Sequence, residues 1–265
     1  MQHSALLNVM IAAARKASRT LKRDFGEVEN LQVSLKGPGN FVSAADRRAE
    51  ETLRAELAKA RPGYGFLGEE SGSHAGTDTT HTWIVDPLDG TTNFLHGIPQ
   101  FAISIGLERS GAIVAGVIYN PISDELYVAE RGKGAFLNDK RLRVAARKRL
   151  ADSVIACGLP HLGRGDLELG LRELGAVQDK VAGLRRFGAA ALDLAFVAAG
   201  RLDGYWERNI SPWDIAAGTI LVREAGGFIT DIDGGDGMFT KRHIVAGNEP
   251  IQRQLQSVLK AAVQG

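Results

Sequence analysis

The chain has a single cysteine, Cys157, so no disulfide can form within it and its stability must come from a packed core. That thiol ends the apolar run Ser153-Val154-Ile155-Ala156-Cys157, which reads as a buried strand. A cysteine in such a place serves as a small hydrophobe and not as a nucleophile. Cysteine poverty fits a reducing compartment, and the expected location is cytoplasmic. Charge of one sign is lacking too: 32 basic residues face 31 acidic ones, a net +1. No global field draws such a chain onto nucleic acid or an anionic membrane. No apolar run reaches bilayer-spanning length. Residues 6–14 are apolar, but no basic residue precedes them and Asn8 interrupts them. Leu6, Val9, Met10, Ala13, Ala17 and Leu21 recur there at helical spacing, which predicts an amphipathic helix in place of a signal peptide. The six histidines form no HxH or HxxxH pair, which argues against zinc. Nucleotide-loop, nucleophile-elbow and dinucleotide-binding motifs are missing as well.

What is there is an ordinary globular composition, 44% hydrophobic and 24% charged, over 265 residues, enough for a full core. No repeat or linker divides it. One domain over 1–265 is expected, with an N-terminal α+β part to about residue 150 and a C-terminal α/β part over about 151–265. The pattern predicts a hairpin from 31–36 and 40–42 around Gly37-Pro38-Gly39, then a helix over 43–60. Strands follow at 64–67 and 82–85, and a meander over 101–108, 112–119 and 125–130. Beyond residue 150 strands at 153–157, 204–207, 228–231 and 243–246 alternate with helices at 166–177, 189–199 and 212–225, and a last helix starts after Pro250. Strands in a run and then alternating with helices predict layered α and β structure with more than one sheet.

The most informative stretch is Trp83-Ile84-Val85-Asp86-Pro87-Leu88-Asp89-Gly90-Thr91-Thr92-Asn93-Phe94. A hydrophobic strand delivers Asp86, Pro87 turns the chain, and Asp89 precedes a short helix opening at Gly90. Two carboxylates at one strand end can share a cation, and the amides that open the helix make an anion site beside it. Asp89 read as a mere helix cap is about equally consistent with this segment alone. A second acidic pair, Glu69-Glu70, follows the strand at 64–67. Asp214 and Asp46 each sit third after a serine, in Ser211-Pro212-Trp213-Asp214 and Ser43-Ala44-Ala45-Asp46, a capping-box spacing that does not stop a carboxylate from also facing a cation. Oxygen ligands of this kind select hard cations such as Mg²⁺, Ca²⁺ or Mn²⁺. The acidic run at 231–237 lacks the spacing of a calcium loop and reads as a turn after a strand.

In this order, the acidic Glu69-Glu70 loop, the segment from Asp86 to Phe94 and Trp213-Asp214-Ile215-Ala216-Ala217-Gly218 resemble the inositol monophosphatase family. The resemblance runs from Asn40 to Asn248, and Phe187 with Ala191-Leu192-Asp193 is closer to its bacterial branch. It implies an α+β fold of the layered αβαβα type and a Mg²⁺-dependent, lithium-sensitive phosphatase, often a homodimer. The implied substrate is a small phosphate ester of a polyol or sugar, foremost inositol 1-phosphate. Two or three ions are implied, with Mn²⁺ able to substitute. Glu69, Asp86, the Leu88 carbonyl, Asp89 and Asp214 are the implied metal ligands. Glu69 and Thr91 would activate water, with Asp46 orienting the Thr91 hydroxyl. Asp89, Gly90, Thr91, Arg186, Gly188, Ala189, Ala190, Glu207 and Asp214 would meet the substrate. No membrane and no direct nucleic-acid binding are expected. Rival esters are fructose bisphosphate, adenosine 3′,5′-bisphosphate and histidinol phosphate. From a different class, some bacterial members partner the transcription machinery, for which the basic residues between Lys140 and Arg149 are the one candidate surface.

Overall fold

Ser4 Oγ accepts the Leu7 N–H at 3.1 Å and opens the first helix, α1 (Ala5–Phe25). This computed structural model describes residues 3–27, 33–37, 40–161 and 165–264. The buried stripe of α1 runs through Leu7, Met10, Ala14, Ala17 and Leu21, so Leu6 and Val9 lie at its margin and not at its centre. A two-stranded ribbon, β1 (Val33–Gly37) and β2 (Asn40–Ser43), precedes α2 (Ala44–Ala60). Positions 31, 32, 38 and 39 of the expected hairpin lie outside the described residues.

Eight strands follow: β3 (Tyr64–Gly68), β4 (Gly72–His74), β5 (Asp78–Asp89), β6 (Ala102–Arg109), β7 (Ala112–Asn120), β8 (Glu125–Glu130), β9 (Gly134–Leu137) and β10 (Lys140–Arg141). Their sheet has the order β10-β9-β8-β7-β6-β5-β3-β4, antiparallel except where β3 runs parallel to β5. Trp83 and Val85 of β5 face the core under α1 and α2, while Ile84 between them faces the opposite core. A short helix, α3 (Thr91–Leu95), follows β5 directly.

The second sheet takes β11 (Val154–Cys157), β12 (Gly183–Arg185), β13 (Gly204–Arg208), β14 (Phe228–Thr230) and β15 (His243–Gly247) in the order β12-β11-β13-β15-β14. Between the sheets lie α5 (Ala190–Ala198) and α6 (Pro212–Glu224). Outside the second sheet lie α4 (Leu167–Gln178) and α8 (Glu249–Gln264), with the short α7 (Met238–Lys241) before β15. The result is a layered αβαβα sandwich. Its logic is written in the helices: α1 buries one stripe, whereas α6 buries every residue from Ile215 to Val222, as a helix clamped between two sheets must.

The expected strand at 82–85 in fact continues to Asp89. Pro87 has no N–H, so pairing with β6 skips from Asp86 opposite Ser104 to Asp89 opposite Ala102, and the chain bulges instead of leaving the sheet. The short elements β4, β9, β10, β12 and α7 carry too few residues for a readable period.

Helix α6 crosses the first sheet where Gly106 and Gly116 pair side by side. A Cβ on Gly106 would stand 2.6 Å from Ala216 Cβ, and one on Gly116 would stand 2.6 Å from Ile220 Cγ2. Gly106→Val is expected to cost about 1–3 kcal/mol by overpacking. Urea unfolding checks this, and an unchanged midpoint would show that the helix is free to move away.

Candidate active site

Asp86 and Asp89 flank the bulge at the end of β5. Asp86 Oδ1 accepts the Leu88 N–H at 2.9 Å, folding that carboxylate back over the proline turn. Asp89 Oδ2 accepts the Ala191 N–H at 2.7 Å, a buried first-turn donor of α5 that has no acceptor within its own helix, which fixes the strand end to the middle layer. Asp214 arrives from the other direction. Its Oδ2 accepts the Ser211 N–H at 2.8 Å, so the side chain caps α6 while facing β5. Ser104, opposite Asp86 in β6, donates its hydroxyl to the Trp213 carbonyl at 3.2 Å and pins the start of α6 to the sheet. Carboxylate oxygens of Asp86, Asp89 and Asp214 lie within 4.8 Å of one another.

Glu69 comes from the β3–β4 turn. Its N–H donates to the Val85 carbonyl at 3.2 Å, and the buried Glu50 of α2 accepts the next two N–H groups, of Glu70 and Ser71, at 2.8 and 2.7 Å. The sequence reading missed Glu50. Its spacing from Asp46, i to i+4 on one helix face, is the signal that could have found it. Asp46 Oδ1 and the Leu88 carbonyl both lie within hydrogen-bond reach of the Thr91 hydroxyl, at 2.9 and 3.1 Å. The side chain of Ser43, its expected capping partner, is outside the described residues. Gly90 has φ +93°, and a Cβ there would stand 2.8 Å from the Gln100 carbonyl, so only glycine fits between Asp89 and α3.

All the expected site residues except Asp46 line one cleft of about 370 Å³. Asp46 stands behind it and touches Thr91. Gly188, Ala189 and Ala190 form its wall at the start of α5, where Asn93 Nδ2 donates to the Phe187 carbonyl at 2.8 Å and holds the two segments together. Arg186 and Glu207 line the same cleft, and Tyr205 donates its hydroxyl to Glu207. The cleft also takes in His161, Cys157 and Asp193, which the sequence reading did not place there. Asp193 is 1% exposed and its Oδ1 has no hydrogen-bond partner. It is the one charged residue of α5, and an isolated carboxylate in an apolar helix was the available signal. Burial pushes the Cys157 thiol up to about 12, which keeps it inert as expected.

Electrostatics make the cleft a demanding place. Burial holds the Asp86 carboxyl well above its ordinary range, and Glu69, Asp89 and Asp214 push it further. Asp89 is raised by burial and then by Asp214, against the opposing Ala191 hydrogen bond. Asp193 is raised by burial, Glu207 and Asp89. A cluster of hard oxygen donors that destabilises its own ionised form fits a divalent cation, whose charge removes the repulsion.

A layered sandwich with this carboxylate cleft at a strand end defines a metal-dependent phosphatase. The sequence model of the inositol monophosphatase family matches residues 2–265, and the chain belongs to that family. Among its relatives is an inositol-1-monophosphatase of Mesorhizobium japonicum, 66% identical over 98% of each chain. A putative Nus factor SuhB of Neisseria meningitidis serogroup B is 43% identical over 97% of this chain and 98% of its own. The crystal structure of the extragenic suppressor protein suhB from Bartonella henselae superposes with a TM-score of 0.95. It is 62% identical and covers 97% of this chain and 99% of its own.

The raised carboxyls carry a signed consequence. They add stability that is complete below the ordinary value of 3.8 and is lost as pH climbs through their raised folded values. Chelator-treated protein is therefore expected to melt at lower temperature as pH goes from about 5 to about 8, and a divalent cation should flatten that slope. Melting curves with and without metal read this directly. A metal-free melting temperature that rises with pH would contradict the repulsion.

Proposed function

We propose that this chain hydrolyses inositol 1-phosphate, or a closely similar phosphate ester of a small polyol, to the alcohol and inorganic phosphate with Mg²⁺. The observation that carries the reading is the convergence of Asp86, Asp89 and Asp214 within 4.8 Å, beside the opening amides of α3. Asp86, Glu69 and the Leu88 carbonyl would hold one Mg²⁺, and Asp86, Asp89 and Asp214 a second. Glu69 would help a third through water, and Mn²⁺ is expected to substitute. When bound, the cation supplies Lewis acidity toward the phosphoryl oxygens and lowers the pKa of water.

The chain's own groups do the rest. Glu69 and Thr91 orient the attacking water and take its proton, and Asp46 accepts the Thr91 hydroxyl proton and so fixes which way that oxygen's lone pairs point. The amides of Gly90 and Thr91 bind the phosphoryl oxygens. Water attacks phosphorus in line, the bond from phosphorus to the alcohol oxygen breaks, and solvent water protonates the departing alkoxide while the proton taken by Glu69 returns to solvent. Arg186, Gly188, Ala189, Ala190 and Glu207 face the alcohol portion, and Glu207 offers a carboxylate to its hydroxyls.

Relatives at 66% and 62% identity carry the inositol-1-monophosphatase name and Nus-factor relatives stand at 43% and 40%, while the suhB structure of Bartonella henselae is itself 62% identical. The basic stretch considered for a regulatory partner is partly neutralised within the chain, by Arg147 on Asp203 at 3.1 Å and Arg149 on Asp152 at 3.0 Å. The enzymatic reading is therefore the stronger. A homodimer and lithium sensitivity belong to the same proposal.

Phosphate release from inositol 1-phosphate with Mg²⁺ is expected, and millimolar lithium should suppress it. Release from another ester alone would move the substrate, and release from none would overturn the reading. Asp89→Asn is expected to lower turnover by at least about 10²-fold with the fold intact by circular dichroism. Near wild-type turnover would remove Asp89 from the site.

A further inference from the structure

The cleft is built from stretches far apart in sequence, and two hydrogen bonds tie the end of β5 and α3 to the segment that opens α5. One is the bond of the Asp89 carboxylate to the Ala191 N–H. The other is neutral and comes from Asn93 of α3, which is 8% exposed. Its Nδ2 donates to the Gln100 carbonyl and to the Phe187 carbonyl, each at 2.8 Å, so both amide protons are used. The first bond anchors the carboxamide in its own half of the chain, and the second grips the other half. Because the peptide unit is planar, fixing the Phe187 carbonyl also fixes the direction of the Gly188 N–H. Gly188 then turns the chain at φ +79° toward α5. A Cβ on Gly188 would stand 3.4 Å from Asn93 Nδ2 and 3.1 Å from Arg186 Nη1, so carboxamide and guanidinium lie against the same glycine.

Phe187 is held from its other side as well, because its ring packs edge to face on Phe196 of α5 at 6.0 Å between centroids. The turn is thus fastened by its side chain to α5 and by its carbonyl to α3. Only a neutral side chain with two protons serves the second fastening. An ionised aspartate of the same shape has no proton to give and would set a carboxylate against two carbonyl oxygens, while alanine would leave both carbonyls without their donor. We propose that Asn93 is a positioning residue that selects the alcohol portion of the substrate. It sets the wall at 186–190 relative to the opening amides of α3, and so governs whether a polyhydroxylated alcohol meets Arg186 and Glu207 while its phosphate sits on Gly90 and Thr91. The inference rests on the phosphatase reading above. Its action passes through the turn, so its loss falls on esters whose alcohol has hydroxyls to place.

The test compares phosphate release from inositol 1-phosphate with release from para-nitrophenyl phosphate, which carries the same phosphoryl group and no hydroxyls. Wild type, Asn93→Ala and Asn93→Asp are measured at saturating Mg²⁺. In both variants kcat/KM is expected to fall at least about tenfold further for inositol 1-phosphate than for para-nitrophenyl phosphate, chiefly through KM. The charge added in Asn93→Asp weighs on both esters, so the ratio isolates the lost donor. Amide exchange should quicken at 187–191 and stay as in wild type at 112–119 of β7. Asn93→Ser, with one proton to give in place of two, carries the same expectation should the alanine variant not fold. Equal losses on the two esters would overturn the proposal. So would exchange that quickens at both segments alike, or a wild-type ratio in both variants. The exchange measurement needs no turnover, so a failed phosphatase reading, seen as release from neither ester by the wild-type protein, is separate from a failure here.

Discussion

Mutual repulsion among buried carboxylates is the constraint around which this molecule is arranged. Asp86, Asp89 and Asp214 are brought within 4.8 Å by three different local devices, a strand bulge, the first turn of α5 and a helix cap. Each device satisfies one carboxylate oxygen with a backbone N–H. None of them cancels the charge. The fold therefore holds a site that is incomplete without a cation, and the stiffness of the surrounding layers keeps the oxygens from drifting apart.

That stiffness comes from close approach. Gly106 and Gly116 let α6 lie against the first sheet at a distance no side chain would permit, and Gly218 lets α5 lie against α6 in turn, where a Cβ would stand 2.4 Å from Leu194 Cδ1. Strand and helix are thereby registered by steric contact, and Asp214 inherits its position relative to Asp86 from backbone packing.

Much of this was legible in the residues because the signals were local. The bulge carboxylates, the capping spacing at Ser211 and Asp214, and the amphipathic period of α1 are all written within a few positions, and Asp86, Asp89 and Asp214 were recoverable from them. What escaped had its cause elsewhere in the chain. Glu50 matters because two amides twenty residues away need an acceptor, and Asp193 matters because β13 brings Glu207 beside it. The continuation of β5 through Pro87 was hidden for a similar reason, since the partner strand β6 tolerates a skipped pair. Local propensity says what a residue prefers, and only the assembled sheets say what it faces.

The cap on α6 has a consequence for how the protein comes into being. Asp46, Glu69, Asp86 and Asp89 all emerge early from the ribosome, and the first sheet can form around them, but Asp214 and the amide of Ala191 belong to the later part of the chain. The cluster of Asp86, Asp89 and Asp214 is therefore complete only once the middle layer has closed, which makes its assembly a late event in the life of each molecule.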